Sequence, residues 1–380
     1  MVRRPADEDT FVIPAAWRRW VVPRRGGRVP APAPPDADTA AADAAYVVAR
    51  ARSSTALRAG RGDPGLLDPA QAWLDDPATA GPLAAAATAA LIADELNWPE
   101  RRRYRVLVET WAATHGPAYA AVAAVHLADC ARIAVGTATP AWVPPRYEHP
   151  HLLPVARALL AGASDDEYAA ARAGLAGLRS GPRPERRIAV SFLLPTEHDW
   201  VDADCAAVVH QNAHPDTVAQ LAMAAGTTRQ LDTLRSALGR WQLEDPTLLY
   251  TMVDGLGPVL TELLEGGLDS RVGARGRRRI MAVLATTPTD DAFRTLLLHR
   301  GVDRQHAAGQ LARACRRYPV RAARLLAEWD DDRLTDHVRA HPDAAAAALP
   351  MLTPAAADRL RHAATRPTGP AAEVRGPAGA

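Results

Sequence analysis

The sequence predicts an all-α protein, an irregular helical-repeat array of the HEAT-like or α–α superhelix kind with no significant sheet. Three observations lead there. Apolar residues recur at helical spacing through most of the chain, while β-branched and aromatic residues never alternate for long. Between about residues 151 and 365, roughly a dozen short helical stretches are separated by breaks of about two to six residues, as in antiparallel helix pairs. Alanine fills 83 of the 380 positions, a small side chain that favours helix and lets neighbouring helices approach closely.

Taken in order, residues 1–35 read as a basic Trp/Arg head running into a Pro-rich linker, and 36–138 as an Ala-rich N-terminal helical subdomain. Residues 139–154, with Pro140, Pro144, Pro145, Pro150 and Pro154, read as a linker. Residues 155–366 read as a domain of helical pairs, and 367–380 as a disordered Pro/Gly/Ala tail. Within the pair domain, Ser164 and Glu167 have the spacing of a capping box, ahead of a Tyr168, Ala171, Leu175, Leu178 stripe that stops at Ser180-Gly181. Pro184 suits a first helical turn, and Pro195 ends that helix. Thr196 is expected to cap the next helix, with Trp200, Ala203 and Ala207 inward. Thr289 starts a helix with Phe293, Leu296 and Leu297 inward, Asp303 starts one carrying Ala307, Leu311 and Cys315, and Pro319 starts one carrying Val320, Ala323 and Leu326. Asp330 to Asp332 place negative charge at the head of another.

Composition removes several chemistries. All 45 basic residues are arginine, which excludes a Schiff-base lysine, an amine nucleophile and a P-loop lysine. A net charge of +2 gives no global field toward nucleic acid or membrane. Cys130, Cys205 and Cys315 are odd in number, widely spaced and on apolar faces, pointing to inert thiols in a reducing, cytoplasmic setting. The N-terminus turns acidic at Asp7-Glu8-Asp9 where a signal peptide needs apolar residues, and the apolar runs are too short or too charged for lipid. Neither a membrane nor a cofactor is expected. None of the seven serines sits in a G-x-S-x-G elbow, Gly255-Leu256-Gly257 reads as a helix kink, and Arg61-Gly62-Asp63 is a chance tripeptide.

Three clusters merit a site reading. Glu197 to His214 holds His198, Asp199, Asp202, Asp204, Cys205 and His210, every common zinc-ligand type. Asp202 and Asp204 lie about 200° apart around a helix, however, and Pro215 turns His214 into a cap. His198, His210 and His214 therefore rank as weak metal candidates, and the acids as caps. In the head, Trp17, Arg18, Arg19, Arg24 and Arg25 interleave rings and positive charge, a pattern suited to bases and phosphates or to a protein partner. The stretch 271–279, with Arg275, Arg277, Arg278 and Arg279, reads as an exposed basic loop entering a helix at Ile280. Arg101 to Arg105 is the wet face of a helix buried through Tyr104, Leu107 and Trp111.

The head Phe11-Val12-Ile13-Pro14-Ala15-Ala16-Trp17-Arg18-Arg19, with Pro23-Arg24-Arg25-Gly26-Gly27, resembles the opening of large bacterial proteins with a domain of unknown function similar to that of the molybdate-metabolism regulator (MolR-like) family. Pro288 to Phe293 through Tyr318 to Leu326, and Phe192 to Pro195 with Trp200-Val201, resemble its upstream helical region. The resemblance implies a repeat-like helical part spanning most of residues 10–345, without catalytic residues and without the family's C-terminal domain. The functional expectation is a non-catalytic scaffold with a protein partner; the alternative is a nucleic-acid-associated regulator using the head and the 271–279 patch.

Overall fold

The computed structural model describes the chain apart from residues 1–7, 34–35, 59, 61–63, 97–98, 135–151, 182–183, 269–271, 302–303 and 367–380, and all but a few side chains within helices, Cys130 being one exception. Most of the expected 139–154 linker, the tail, the 61–63 tripeptide, Arg271 and Asp303 thus lie outside the described residues. Among the described residues every regular element is a helix. By contacts the chain divides into two units, Ile13–Leu260 and Thr261–Ala380 with Met1–Val12.

The larger unit opens with the single turn α1 (Ala15–Arg18) and, after Asp36 accepts from the Thr39 amide at 2.8 Å, α2 (Ala37–Ser53). α3 (Thr55–Arg58) and α4 (Pro64–Asp75) lead to α5 (Pro82–Ile92). α5 is apolar all round and buries Ala84 to Ala87, Ala89 and Ile92, as a helix enclosed by others must. It packs on α4 and on α7 (Pro117–Ala134). α6 (Glu100–His115) buries the expected Tyr104, Leu107 and Trp111, and ends at Gly116, whose φ of +88° favours glycine.

α8 (Leu152–Gly162) packs on both α6 and α7, so one core runs from Val22 to Leu194 across the stretch read from sequence as a linker. α9 (Asp165–Arg179) begins with the expected capping box, and α10 (Pro184–Leu193) with its proline. α11 is His198–His210, α12 Pro215–Ala224, α13 Thr228–Leu234 and α14 Pro246–Leu256. Here packing skips a neighbour: α10 lies on α8 and α12, α12 on α14, and α11 on α13.

Three local expectations change. Thr196 does not cap α11; its hydroxyl hydrogen-bonds the Tyr168 hydroxyl, and Glu197 holds the cap position without a side-chain bond. The inward face of α11 is Val201, Asp204, Cys205 and Val208, with Ala203 exposed, because Asp204 is drawn inside by arginines. Gly257 ends α14 at φ +60° and is not a kink within a helix.

In the smaller unit, α15 (Thr261–Leu268) precedes α16 (Ala274–Leu284). Residues 274–279 are therefore already helical, where the sequence suggested a loop up to Ile280; Gly273 takes the cap position and buried Gly276 sits within the turn. α17 (Asp290–Leu298) is capped by Thr289 and buries Phe293, Leu296 and Leu297 as expected. α18 (Arg304–Arg317), α19 (Pro319–Glu328), α20 (Leu334–Ala340), α21 (Pro342–Ala348) and α22 (Pro354–Thr365) complete it. The Glu8 carboxylate accepts from the Val320 and Arg321 amides at 2.7 and 3.0 Å, placing negative charge on the N-terminus of α19. α17 packs on α19, α19 on α21, and α20 on α22.

Candidate functional site

The strongest concentration of buried polar chemistry in the larger unit lies where residues 13–29 dock on α8, α12 and α14. This segment has one helical turn of its own and is held by what it touches. Trp17 is buried with its ring stacked on Tyr250 of α14, centroids 4.7 Å apart and planes 14° from parallel. The Val22 amide donates to the Thr251 hydroxyl at 3.0 Å. Arg24 to Gly27 then form a tight turn closed by the Gly27 amide on the Arg24 carbonyl at 3.0 Å.

Both glycines of that turn have physical reasons. Gly26 has φ +68°, in the left-handed region. A Cβ on Gly27 would come within 2.6 Å of Asp254 Oδ2 and 2.7 Å of Arg24 Cγ, so only glycine lets the turn reach α14. The Arg28 and Val29 amides both donate to Asp254 Oδ1, at 2.8 and 3.0 Å. Pro-Arg-Arg-Gly-Gly thus folds into a turn that presents one arginine inward and one outward.

The inward arginine is Arg24, 8% exposed. Its Nη2 donates to the Met223 and Ala225 carbonyls, at 3.1 and 2.8 Å, at the C-terminal end of α12. Unpaired carbonyls and the helix dipole make that end attractive to a cation. Arg157 of α8, 1% exposed, reaches the same place: its Nη1 donates to the Met223 carbonyl at 3.0 Å, and its Nε to the Pro23 carbonyl at 3.0 Å. Its guanidinium also stacks over Phe192. Gly226 and Gly255 leave room for the fit. A Cβ on Gly255 would be 2.5 Å from the Ala225 carbonyl and 2.6 Å from Arg24 Cζ, and one on Gly226 would be 2.8 Å from Arg24 Nη1.

The electrostatics are costly. Burial lowers the Arg24 guanidinium to about 10, against the pull of Asp254. Burial, and then the Arg24 charge, hold Arg157 well below the ordinary arginine value. Burial raises Asp254 above the usual carboxylate range despite Arg24 beside it. Arg24 Nε, Arg157 Nη2 and Asp254 Oδ2 are buried and have no hydrogen-bond partner among the described residues. The outward arginine, Arg25, pairs with Asp165, donates to the Ala163 carbonyl and lies over the Tyr168 ring. The arrangement grips a turn through a guanidinium and backbone amides.

The other predicted residues are dispersed. Arg18 and Arg19 are exposed, Arg19 lying over the Trp20 ring. With Trp17 and Arg24 buried and Arg25 paired, the head offers a nucleic acid only part of the expected surface. In α16, Arg275 and Arg278 are exposed, Arg279 is half-buried, and Arg277 donates to the Val272 carbonyl at 2.7 Å. His198 and His210 occupy opposite ends of α11, roughly 18 Å apart at 1.5 Å per residue. His214 is the expected cap, its Nδ1 accepting from the Asp216 amide at 3.3 Å. Among the described residues no three histidine, cysteine or acidic side chains are grouped to hold a metal ion. Asp204, read as a capping acid, is a buried hub: Arg179 and Ser191 donate to its Oδ2, and Arg187 donates twice to its Oδ1. The Cys205 and Cys315 thiols are buried and pushed up to about 12.

Sequence reasoning missed Arg157, Thr251 and Asp254. The available signal was a lone charge inside an apolar helical run: Arg157 among Leu152 to Leu160, and Asp254 among Leu248 to Leu256 with glycine beside it.

Fold and site together define an all-α protein whose helices clasp a segment of their own chain. The chain belongs to the YehI second domain family, whose model matches residues 39–242. The match covers Arg157, Met223, Ala225 and Gly226, while Arg24, Thr251 and Asp254 lie outside it. No curated protein and no solved structure matches the chain.

Proposed function

We propose that the chain is a non-catalytic interaction module, a cytoplasmic scaffold that binds a protein partner. One observation carries this reading: the helices of the larger unit already hold a turn-bearing segment through α8, α12 and α14, so recognition of a polypeptide is what their strongest polar cluster does. The groups with displaced titration there, Arg24, Arg157 and Asp254, act as donors and acceptors in that grip. Next-but-one packing, α8 to α10 to α12 to α14 and α17 to α19 to α21, supports a helical-pair array of the kind that presents extended binding surfaces. The likeness to the helical part of MolR-like proteins belongs to the same reading, and the buried thiols suit a reducing compartment.

The test is reciprocal affinity capture of the full-length chain from native extract at ~0.3 M salt, where purely phosphate-driven binding is strongly weakened. The expected result is one protein recovered in stoichiometric amount from either side. The reading is overturned if no protein co-purifies and the chain instead binds DNA or RNA with a steep salt dependence that falls when Arg18, Arg19, Arg275 and Arg278 are changed to alanine.

A further inference from the structure

The same joint supports a narrower conclusion, which rests on the interaction reading above. We infer that the groove between α8, α12 and α14 is a recognition site for an arginine-bearing turn, filled in cis by residues 20–29, and that the same segment of a second copy of the chain can take its place.

Complementarity is the first argument. Each part of the turn meets a dedicated partner on the helices: Val22 amide on Thr251, Pro23 carbonyl on Arg157, Arg24 on the Met223 and Ala225 carbonyls, Arg28 and Val29 amides on Asp254. Amides and carbonyls of the segment are read as well as a side chain, as in peptide recognition. Gly226 and Gly255 open the groove to the depth of a guanidinium, and Gly27 on the ligand side lets the turn descend. These features specify a Pro-Arg-x-Gly-Gly turn, which every copy of this chain carries at residues 23–27.

Reversibility is the second argument. Docking takes Arg24 and Arg157 out of water so that both donate to one carbonyl, Met223, with Asp254 the acid facing them. Buried charges give back in desolvation much of what they gain in attraction. Among the described residues, three buried polar atoms also find no partner, each a group that hydration would satisfy on release. The polar part of docking is thus a small difference between large terms, while the apolar part, from Trp17, Val21, Val22 and Val29, is one that the identical segment of a second copy would match. Beyond Val29 the sequence continues as Pro30, Pro32, Pro34 and Pro35, a composition of semi-rigid spacers.

The experiment uses the full-length chain and a fluorescein-labelled peptide of residues 15–30. In the variant Arg24→Ala/Gly27→Val the cis segment loses its key and cannot descend, while every groove residue is kept. The peptide is expected to bind this variant at least ~10-fold more tightly than it binds the wild-type chain, and its Arg24→Ala form at least ~10-fold more weakly. Equal binding to variant and wild type, equal binding of the two peptides, or no binding to a folded variant overturns the inference. If the variant does not fold, hydrogen exchange of the wild-type chain decides. Excess wild-type peptide should accelerate exchange of the Val22, Arg28 and Val29 amides while the Arg24→Ala peptide does not, and no acceleration overturns it. Should the peptide fail while a stoichiometric partner is still captured, this inference falls and the interaction reading stands. Capture failing while the peptide binds separates them the other way.

Discussion

The larger unit contains two buried clusters built from the same parts, two arginines and one aspartate, and they behave as different kinds of structure. Around Asp204, every oxygen lone-pair direction is used: Arg179 and Ser191 on one carboxylate oxygen, two nitrogens of Arg187 on the other. The three helices α9, α10 and α11 are tied by these side chains, and Arg179 adds bonds to the Arg187 and Trp200 carbonyls. Around Asp254, one oxygen accepts two backbone amides and the other accepts from none of the described residues, while two guanidiniums crowd one carbonyl, each with one nitrogen that none of those residues pairs. The difference teaches that burial of charge is not itself a mark of permanence. A satisfied cluster fastens helices, whereas an unsatisfied one marks a contact that can open.

Substitutions can break or sharpen that contrast, and the largest effect belongs to the satisfied cluster. Asp204→Ala removes the shared acceptor of Arg179 and of the partly exposed Arg187, and should cost about 3 kcal/mol of global stability, read by urea unfolding. A loss below about 1 kcal/mol would place this cluster with the loose one.

Asp254→Ala should act locally, because its cost is capped by release of the segment. Trypsin cleavage after Arg24, Arg25 and Arg28 is expected to rise ~10-fold or more, the ratio that corresponds to about 1.4 kcal/mol. The urea midpoint should move far less than in Asp204→Ala. Loss of global stability equal to that of Asp204→Ala would erase the distinction.

Gly27→Ala should resemble Asp254→Ala in kind and be slightly smaller. The added Cβ meets Asp254 Oδ2 at 2.6 Å, Arg24 Cγ at 2.7 Å and the Arg24 carbonyl oxygen at 3.0 Å, so the turn must shift, but the Asp254 carboxylate and its charge are kept. A several-fold rise in tryptic cleavage of the segment, with unchanged helix content by circular dichroism, is the expected outcome.

The smallest effect is a pH dependence. Asp254 has a folded-state value raised above 3.8 by burial. Between the unfolded and the raised folded value the folded chain therefore binds more protons at this group than the unfolded chain does, so its contribution to stability is greatest at low pH and is lost as pH rises through the raised value. Comparing wild type with Asp254→Asn from pH 7 down to about pH 4, the stability difference should move in favour of wild type as pH falls. A difference moving the other way would show that attraction from Arg24 outweighs burial.

Much of the fold was legible in the sequence because it depends on short-range chemistry. The Ser164–Glu167 box, the Thr289 cap, the His214 cap forced by Pro215 and the stripe of Tyr104, Leu107 and Trp111 all rest on residues within about two helical turns of each other. The expected inward face of α11 failed because periodicity treats Asp204 as a surface residue, and its arginine partners come from two other helices. The site was legible only by halves. Trp17, Arg24 and the two glycines stood out in the head, yet Tyr250 and Asp254 lie more than 220 positions away, and nothing local announces that distance. A charge isolated within an apolar helix is the trace such partners leave, and Arg157 and Asp254 both leave it.

The most direct test of the account is native-state hydrogen exchange of the full-length chain, comparing the amides of Val22, Arg28 and Val29 with those of α10 and α11 around Asp204. If residues 13–29 are a docked, releasable segment, the first set should exchange through a local opening at least ~100-fold faster than the second, at rates nearly independent of low denaturant while those of the second set rise with it. Exchange of both sets at one rate, tracking global unfolding, would make the segment an integral part of the core and contradict the account.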